Sequence, residues 1–571
     1  MRKVLLVILV LAASAFAECS GSAWHYLPAV LEDSGVLVNM SLALEPGNGD
    51  LFMSVYPKVG MSTQQSARDA VDYAFEYTGA DREACDARIK AYMPSGVEGY
   101  IEGPSAGAAM AVMGIAALGG KSIREDAVIT GAIGYDGELE PVGGLYEKAK
   151  IAESRGIKYF LSPPQSLYER IMLGMLQQNG SMKVLEIGNV SEAAGFLVDG
   201  KNISGEKKPP RVDEVDDSVP AYGGSARFAG MARGMMALFG QSVQEVDPKL
   251  KSDEMLDPYF SKIALNQEKL YGRGYYFSAA NDAFLAYIDT ETIANVDNLD
   301  VGKKKEEARA CLASTGLPGL SENNLEWFAG AELRKAWASK KLDEMEGKNY
   351  TLKEEKYLGY HDAMYADAWC NIAGMLDAGA PKYGKELDEG ALMNLSSEYL
   401  RAAEEMAGQS GDADVIWHLE NAEAMHRREE YAGSILDSVF AIEMENASMI
   451  YAEDEGKATA ELEDMSKEER SSLWAEAYAG HGNYVLWKGS NETAYGLLRF
   501  AKGLDLANAR MAAEAGAGRG LLSPEEAELL KYGAVLAVLG IAFVLAYRLL
   551  DTGKRGEAKQ KNNVFKFRKR K

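Results

Sequence analysis

Histidine is scarce in this chain. The five present, His25, His361, His418, His426 and His481, leave little material for a hydrolytic triad built on imidazole, the side chain best suited to proton transfer near neutral pH. Cysteine is scarcer, with four residues and no Cys-x-x-Cys pair, which excludes a thiolate zinc knuckle. His418, Glu423 and His426 share helical spacing but form no His-Glu-x-x-His motif, so no metal is expected. Positive charge is in deficit: 61 Lys and Arg face 85 Asp and Glu, for a formal net charge of -24. That balance argues against a nucleic-acid partner. A phosphate-binding loop is missing as well. Gly119-Gly120-Lys121-Ser122 resembles the end of one, but Ile115 stands where its first glycine belongs, and the segment closes a helix instead of opening one. No cofactor is expected.

What is present begins with length. The 571 residues suffice for several domains, and 47% hydrophobic residues is ordinary for a folded chain. Met1-Arg2-Lys3, the apolar run Val4 to Ala13 and the small residues of Ala15-Phe16-Ala17 make residues 1–17 a secretory signal peptide. The other reading is an uncleaved anchor. Residues 529–550 are long and apolar enough to span a bilayer once Lys531 and Arg548 snorkel to its faces. The tail 551–571 is rich in Lys and Arg, which marks its side as cytoplasmic. A single-pass protein of the cell membrane is expected, with the bulk of the chain outside. Asn-x-Ser/Thr patterns at Asn39, Asn179, Asn189, Asn202, Asn349, Asn394, Asn446 and Asn491, none of them in the tail, agree with export. Among the possible pairings of Cys19, Cys85, Cys311 and Cys370, Cys19 with Cys85 and Cys311 with Cys370 is favoured, because it keeps each bridge inside one candidate domain.

Residues 24–198 read as a compact α/β or α+β domain. Gly35 to Leu44 and Leu51 to Tyr56 are strand-like and joined by the turn Gly47-Asn48-Gly49-Asp50. Thr63 to Tyr77 has helical periodicity, with Ser62 a possible cap, and Ala87 to Met93 is a strand. A glycine-punctuated loop from Pro94 then leads through Glu102-Gly103-Pro104 to Ser105 and a run of small and apolar residues, Ala106-Gly107-Ala108-Ala109-Met110. This is a serine delivered to the first turn of a buried helix, among unpaired N–H groups and the positive end of the helix dipole. Such a place stabilises an oxyanion, and it equally suits a plain serine cap.

A second stretch decides between these. Ala127 to Ile129, Thr130 and Gly131 form a strand ending at a glycine turn. Glu138-Leu139-Glu140-Pro141-Val142-Gly143-Gly144-Leu145 then opens an amphipathic helix carrying Glu147 and Lys148, and Gly156-Ile157-Lys158 and Ser162-Pro163 follow. Taken with Gly103-Pro104-Ser105-Ala106-Gly107, these blocks resemble the proteolytic domain of the Lon protease family, in order and at compatible spacing, over about a third of the chain. The resemblance implies a serine peptidase in which Ser105 is the nucleophile and Lys148 the general base. Thr130 would hydrogen-bond the lysine, with Glu102, Gly103, Pro104 and Gly131 as supporting residues. The chemistry requires a lysine whose pKa falls towards neutrality through burial, and Leu145, Ile151 and Ala152 supply apolar neighbours at helical spacing. Two positions depart from the family. Glu102 stands where many members have Asp, and Ala132 where relatives have Glu or Ser, which bears on how the lysine is positioned. The Gly96-Val97-Glu98-Gly99 loop is closer to archaeal membrane-bound Lon than to bacterial Lon. The ATPase module of full-length Lon has no counterpart motif here.

Residues 199–225, punctuated by Pro209-Pro210 and Gly223-Gly224, read as an exposed linker. Residues 226–525 are polar, Ala-rich and almost free of strand signals: a helical domain, either an irregular bundle or an array similar to tetratricopeptide repeats. Gly274, Phe277, Ala280 and Phe284, and again Trp474, Tyr478, Tyr484 and Trp487, carry the aromatic pattern, which is expected to be core packing. The leading expectation for function is an ATP-independent, surface-anchored endopeptidase acting on unfolded or flexible polypeptides, and the resemblance adds the possibility of a homo-oligomeric ring. The alternative is a binding or scaffolding protein whose helical domain recruits partners, with the Lon-like domain inactive or used for autoprocessing.

Overall fold

Alternation of apolar and polar residues builds the first layer. The computed structural model describes residues 19–31, 34–54, 58–94, 100–101, 103–134, 136–203, 209–223, 226–251, 256–408 and 410–516. The expected signal peptide, membrane span, basic tail, Gly96 to Gly99 loop and Glu102 lie outside them. Among the described residues no helix is long and apolar enough to cross a membrane. Strands β1 (Ser22–Leu31), β2 (Ser34–Pro46), β3 (Leu51–Met53) and β5 (Cys85–Tyr92) form one sheet in the order β1-β2-β5-β3. Leu27, Val38, Met40, Leu42, Ile89 and Ala91 point to its buried face, while Trp24, Tyr26, Phe52 and Tyr92 stand on the exposed one.

The turn after β2 forms as expected, but β2 and β3 are not neighbours. β5 lies between them, antiparallel to β2 and parallel to β3. Asp86 on β5 accepts hydrogen bonds from the N–H groups of Asn48 and Asp50, at 2.8 and 2.9 Å, and so ties the turn to the inserted strand.

β4 (Lys58–Val59) and β6 (Tyr100–Ile101) make a short parallel pair. Between them in sequence, α1 (Met61–Thr78) buries Ala67, Ala70, Val71, Ala74 and Phe75. Helix α2 (Gly107–Leu118) has no polar side chain and is buried from Gly107 through Ala117, as a helix that is apolar all round must be. The third layer is a parallel sheet ordered β11-β10-β7, from β7 (Ala127–Ile129), β10 (Tyr159–Ser162) and β11 (Lys183–Glu186). A small hairpin of β8 (Ala132–Ile133) and β9 (Leu139–Glu140) follows β7. The crossover helices are α3 (Leu145–Ser154) and α4 (Leu167–Asn179), and α5 (Val190–Leu197) closes the domain. Cys19 and Cys85 are bridged across it, with Cα atoms 5.4 Å apart.

The stretch read as a linker is partly packed. Arg211 N–H donates to the Gln165 carbonyl, Val215 N–H to Asn266, and Val215 and Val219 are buried. These apolar residues are hidden in an otherwise polar, Pro-rich and largely exposed run.

The described remainder is helical: α6 (Ala229–Glu245), α7 (Pro248–Lys251), α8 (Asp257–Gly272), α9 (Tyr276–Ala294), α10 (Val301–Ser314), α11 (Leu325–Glu344) and α12 (Lys353–Gly379). Then come α13 (Glu389–Ala407), α14 (Ala413–Arg427), α15 (Tyr431–Glu453), α16 (Glu455–Met465), α17 (Leu473–Trp487) and α18 (Asn491–Gly516). The Cys311–Cys370 bridge joins α10 to α12, so both favoured pairings are present. The two aromatic stretches singled out in the sequence meet, with the Phe277 and Tyr478 rings 4.8 Å apart. Helix α4 belongs to both halves of the molecule. Tyr168 stacks on Tyr357 and His361, and Leu173 and Leu176 share one apolar cluster with Phe284, Tyr287 and Tyr360.

Candidate active site

The Ser105 turn is held from three sides. Gly103, at φ 100, takes a backbone conformation that favours glycine. Pro104 starts a 3-10 turn, Pro104–Ala106, that runs directly into α2. Neither this turn nor α2 has a side-chain cap, so Ser105 does not serve as the plain cap that its position allowed. From the first turns of α1, Ser62 Oγ accepts from Gly103 N–H at 2.9 Å, Thr63 Oγ1 donates to Gly103 O at 2.9 Å, and Ser66 Oγ donates to Pro104 O at 3.0 Å. Ser62 is thus no cap for α1, whose N-cap is Gly60. It fixes the serine loop. The signal for this trio was three hydroxyls on one helical face, at positions i, i+1 and i+4, and the sequence reading passed over it.

The third support comes from the end of β7. Gly131 N–H donates to the Ser105 carbonyl at 3.0 Å, Thr130 Oγ1 donates to the same oxygen at 3.3 Å, and Ala108 N–H donates to Gly131 O at 3.0 Å. The Thr130 hydroxyl donates to the Ser105 carbonyl, whereas Lys148 Nζ donates to the Gly143 carbonyl. Gly131 and Thr130, both buried, fasten the serine turn to the carboxyl end of the parallel sheet.

Lys148 reaches the same edge by topology. The connection from β7 to its parallel neighbour β10 must return the chain to the amino-terminal edge of the sheet. The crossover helix α3 therefore begins at the carboxyl edge, where Gly131 holds Ser105, and Lys148 lies in its first turn. Such carboxyl edges are where open α/β sheets place ligands. Gly144, at φ 65, caps α3, and a Cβ there would stand 2.7 Å from Val30 Cγ2. Lys148 is 5% exposed. Its Nζ donates to Gly143 O at 2.8 Å, and burial pulls its pKa from the usual 10.5 to about 8, with Glu147 acting weakly in the opposite direction. The acceptor at Gly143 was not foreseen from the sequence, although the Gly-Gly pair marks where a backbone can come this close.

Comparison with known proteins bears on this arrangement. Residues 31–192 match the Lon protease (S16) C-terminal proteolytic domain. The chain is similar to the Lon protease of Haemophilus influenzae, 30% identical over 185 residues that cover 32% of this chain and 22% of the relative. It is similar to that of Escherichia coli K12, 32% identical over 148 residues covering 26% and 18%, and to that of Erwinia amylovora, 32% identical over 151 residues covering 26% and 18%. The chain thus spans about a fifth of the length of these relatives. The matched Lon domain contains Ser105, Thr130, Gly131 and Lys148, and it ends before the helical half begins. His25 lies outside the match, and its burial pushes its pKa down to about 4, which suits a neutral core imidazole. His418 and His426 take separate partners, Asp437 and Ser396.

Proposed function

We propose that the chain is a serine endopeptidase in which Ser105 attacks the substrate carbonyl and Lys148 is the general base. The observation that carries this reading is Lys148: an amine buried in the first turn of α3, held by one carbonyl, with a pKa drawn to about 8. A lysine so placed is neutral in a useful fraction of molecules near physiological pH and can take the serine proton. In this scheme the Lys148 amine leaves Gly143 O and accepts from Ser105 Oγ. The acyl-enzyme forms at Ser105, backbone N–H groups at the start of α2 hold the oxyanion, and water activated by Lys148 completes hydrolysis. Thr130 acts on the nucleophile's backbone.

The reading extends to an ATP-independent enzyme anchored at the cell surface, with residues 1–17 as signal and 529–550 as span. Supporting it, all four cysteines are paired, as in oxidising compartments, and Asn202, Asn349, Asn394 and Asn491 are exposed. Substrates are then unfolded or flexible polypeptides, and the ring assembly implied by the family would enclose the sites. The test is casein turnover by the chain, its Ser105→Ala variant and its Lys148→Ala variant. Activity in the first alone is expected. Equal turnover in all three would end the peptidase reading.

A further inference from the structure

Arg334 lies on α11 inside the helical half, far in sequence from the serine and lysine. It is 5% exposed, and among the described residues it forms no salt bridge with a carboxylate; its guanidinium is hydrogen-bonded to the Tyr478 hydroxyl. Two tryptophans clamp it, with Trp337 and Trp474 ring centroids 4.4 and 4.5 Å from Cζ. Cation–π contact with the two rings offsets part of the cost of burial, and Tyr478 takes one of the guanidinium's five N–H groups, which leaves most of its edge over. Two cavities of about 90 Å³ each open against it, and Arg334, Trp337, Trp474 and Tyr478 line both.

A buried cation with aromatic rings against it, a partly free edge and adjoining space is an anion site in chemical terms. The polar group across the cavity sharpens the choice. Asp437, 1% exposed, already accepts from Trp337 Nε1, His418 Nδ1 and Asn421 Nδ2. It is satisfied by these donors, it makes no salt bridge with Arg334, and its charge disfavours a dianion. The rest of the wall is aromatic, with Phe440 and Phe500 on one side and Phe277 and Phe284 on the other. We propose that this cavity binds a small organic monocarboxylate with an apolar body, its carboxylate paired with the Arg334 fork and its body against the tryptophan and phenylalanine rings. A planar carboxylate matches the guanidinium edge with two parallel hydrogen bonds. The proposal is independent of the peptidase reading.

The probe is phenylacetate, titrated into the full chain while tryptophan fluorescence is followed, because the carboxylate would dock at the guanidinium edge beside Trp337 and Trp474. Parallel arms use phenylacetamide, which lacks the charge, and sodium chloride, which lacks the body. Saturable binding of phenylacetate is expected, roughly tenfold or more tighter than that of the amide, with no saturable response to chloride. Arg334→Met, of similar length and uncharged, should erase the preference for the acid while circular dichroism stays unchanged. Should that variant fail to fold, the comparison of acid with amide in the wild type decides alone. Equal affinity for acid and amide, no saturable phenylacetate response, or a chloride response that phenylacetate cannot displace would each overturn the proposal.

Discussion

Lys148 carries a cost that can be measured without substrate. Its pKa is about 8 in the folded chain and near 10.5 when unfolded. Between those values the unfolded chain binds more protons, so stability rises with pH across that window. Below about pH 8 the whole penalty of burying the ammonium is present. Lys148→Met removes it, and stability at pH 7 is expected to rise by up to about 3 kcal/mol, the gain shrinking as pH approaches 10. Urea denaturation of both chains at pH 7 and pH 9.5 checks this. A loss of stability at pH 7 would mean the amine is solvated. In the proposed mechanism the same group sets the pH dependence of activity. Turnover should climb with pH and level off above about 8, because only the neutral amine can accept the Ser105 proton.

The elements that aim these two residues depend on a few backbone positions. Gly144 opens α3 at φ 65 with Val30 directly against it. Gly144→Ala should cost about 1–3 kcal/mol in thermal unfolding and reduce turnover by shifting the helix start that carries Lys148. An unchanged melting temperature would show that the turn relaxes freely. At this scale much was legible beforehand. The alternation Val38, Met40, Leu42, Leu44 announced β2, and the unbroken apolar run after Ser105 announced α2. Pairing was less legible, because nothing local in Gly47-Asn48-Gly49-Asp50 says that Asp86, far along the chain, will seize the turn and place β5 between β2 and β3. Ser62, Thr63 and Ser66 were missed for a similar reason. Short hydroxyl side chains at a helix start satisfy a local rule, and the local rule hid their long-range partners at Gly103 and Pro104. The motif residues stood out in the sequence through their resemblance to a family's blocks, whereas the acceptor of the Lys148 amine is a backbone oxygen that no residue type encodes.

Across the whole molecule, two devices hold the chain together: disulfides within each half and one helix shared between the halves. The Cys19–Cys85 bridge closes a loop with a sequence separation of 66, for which loop entropy predicts about 4 kcal/mol of stabilisation. The Cys311–Cys370 bridge closes a loop of nearly equal separation, 59, in the helical half, so reduction should destabilise both halves by comparable amounts. Helix α4 is the second device. Tyr168 sits between Tyr357 and His361, at ring distances of 4.9 and 4.2 Å, and Lys150 pairs with Glu355 nearby. Tyr168→Ala should cost about 3–5 kcal/mol and split calorimetric unfolding into two transitions, one for each half. A single transition in the variant would mean that the halves are coupled elsewhere. This docking was invisible in the sequence, where α4 carried only an ordinary amphipathic pattern and a capping box.

The central claim, that a buried amine losing its charge activates Ser105, is tested most directly by the rate at which a fluorophosphonate labels the chain as pH is raised. The account predicts a single adduct on Ser105, a rate that rises with a midpoint near pH 8, and loss of that rise in Lys148→Met. An adduct elsewhere, or a Ser105 labelling rate that Lys148→Met leaves unchanged, would contradict it.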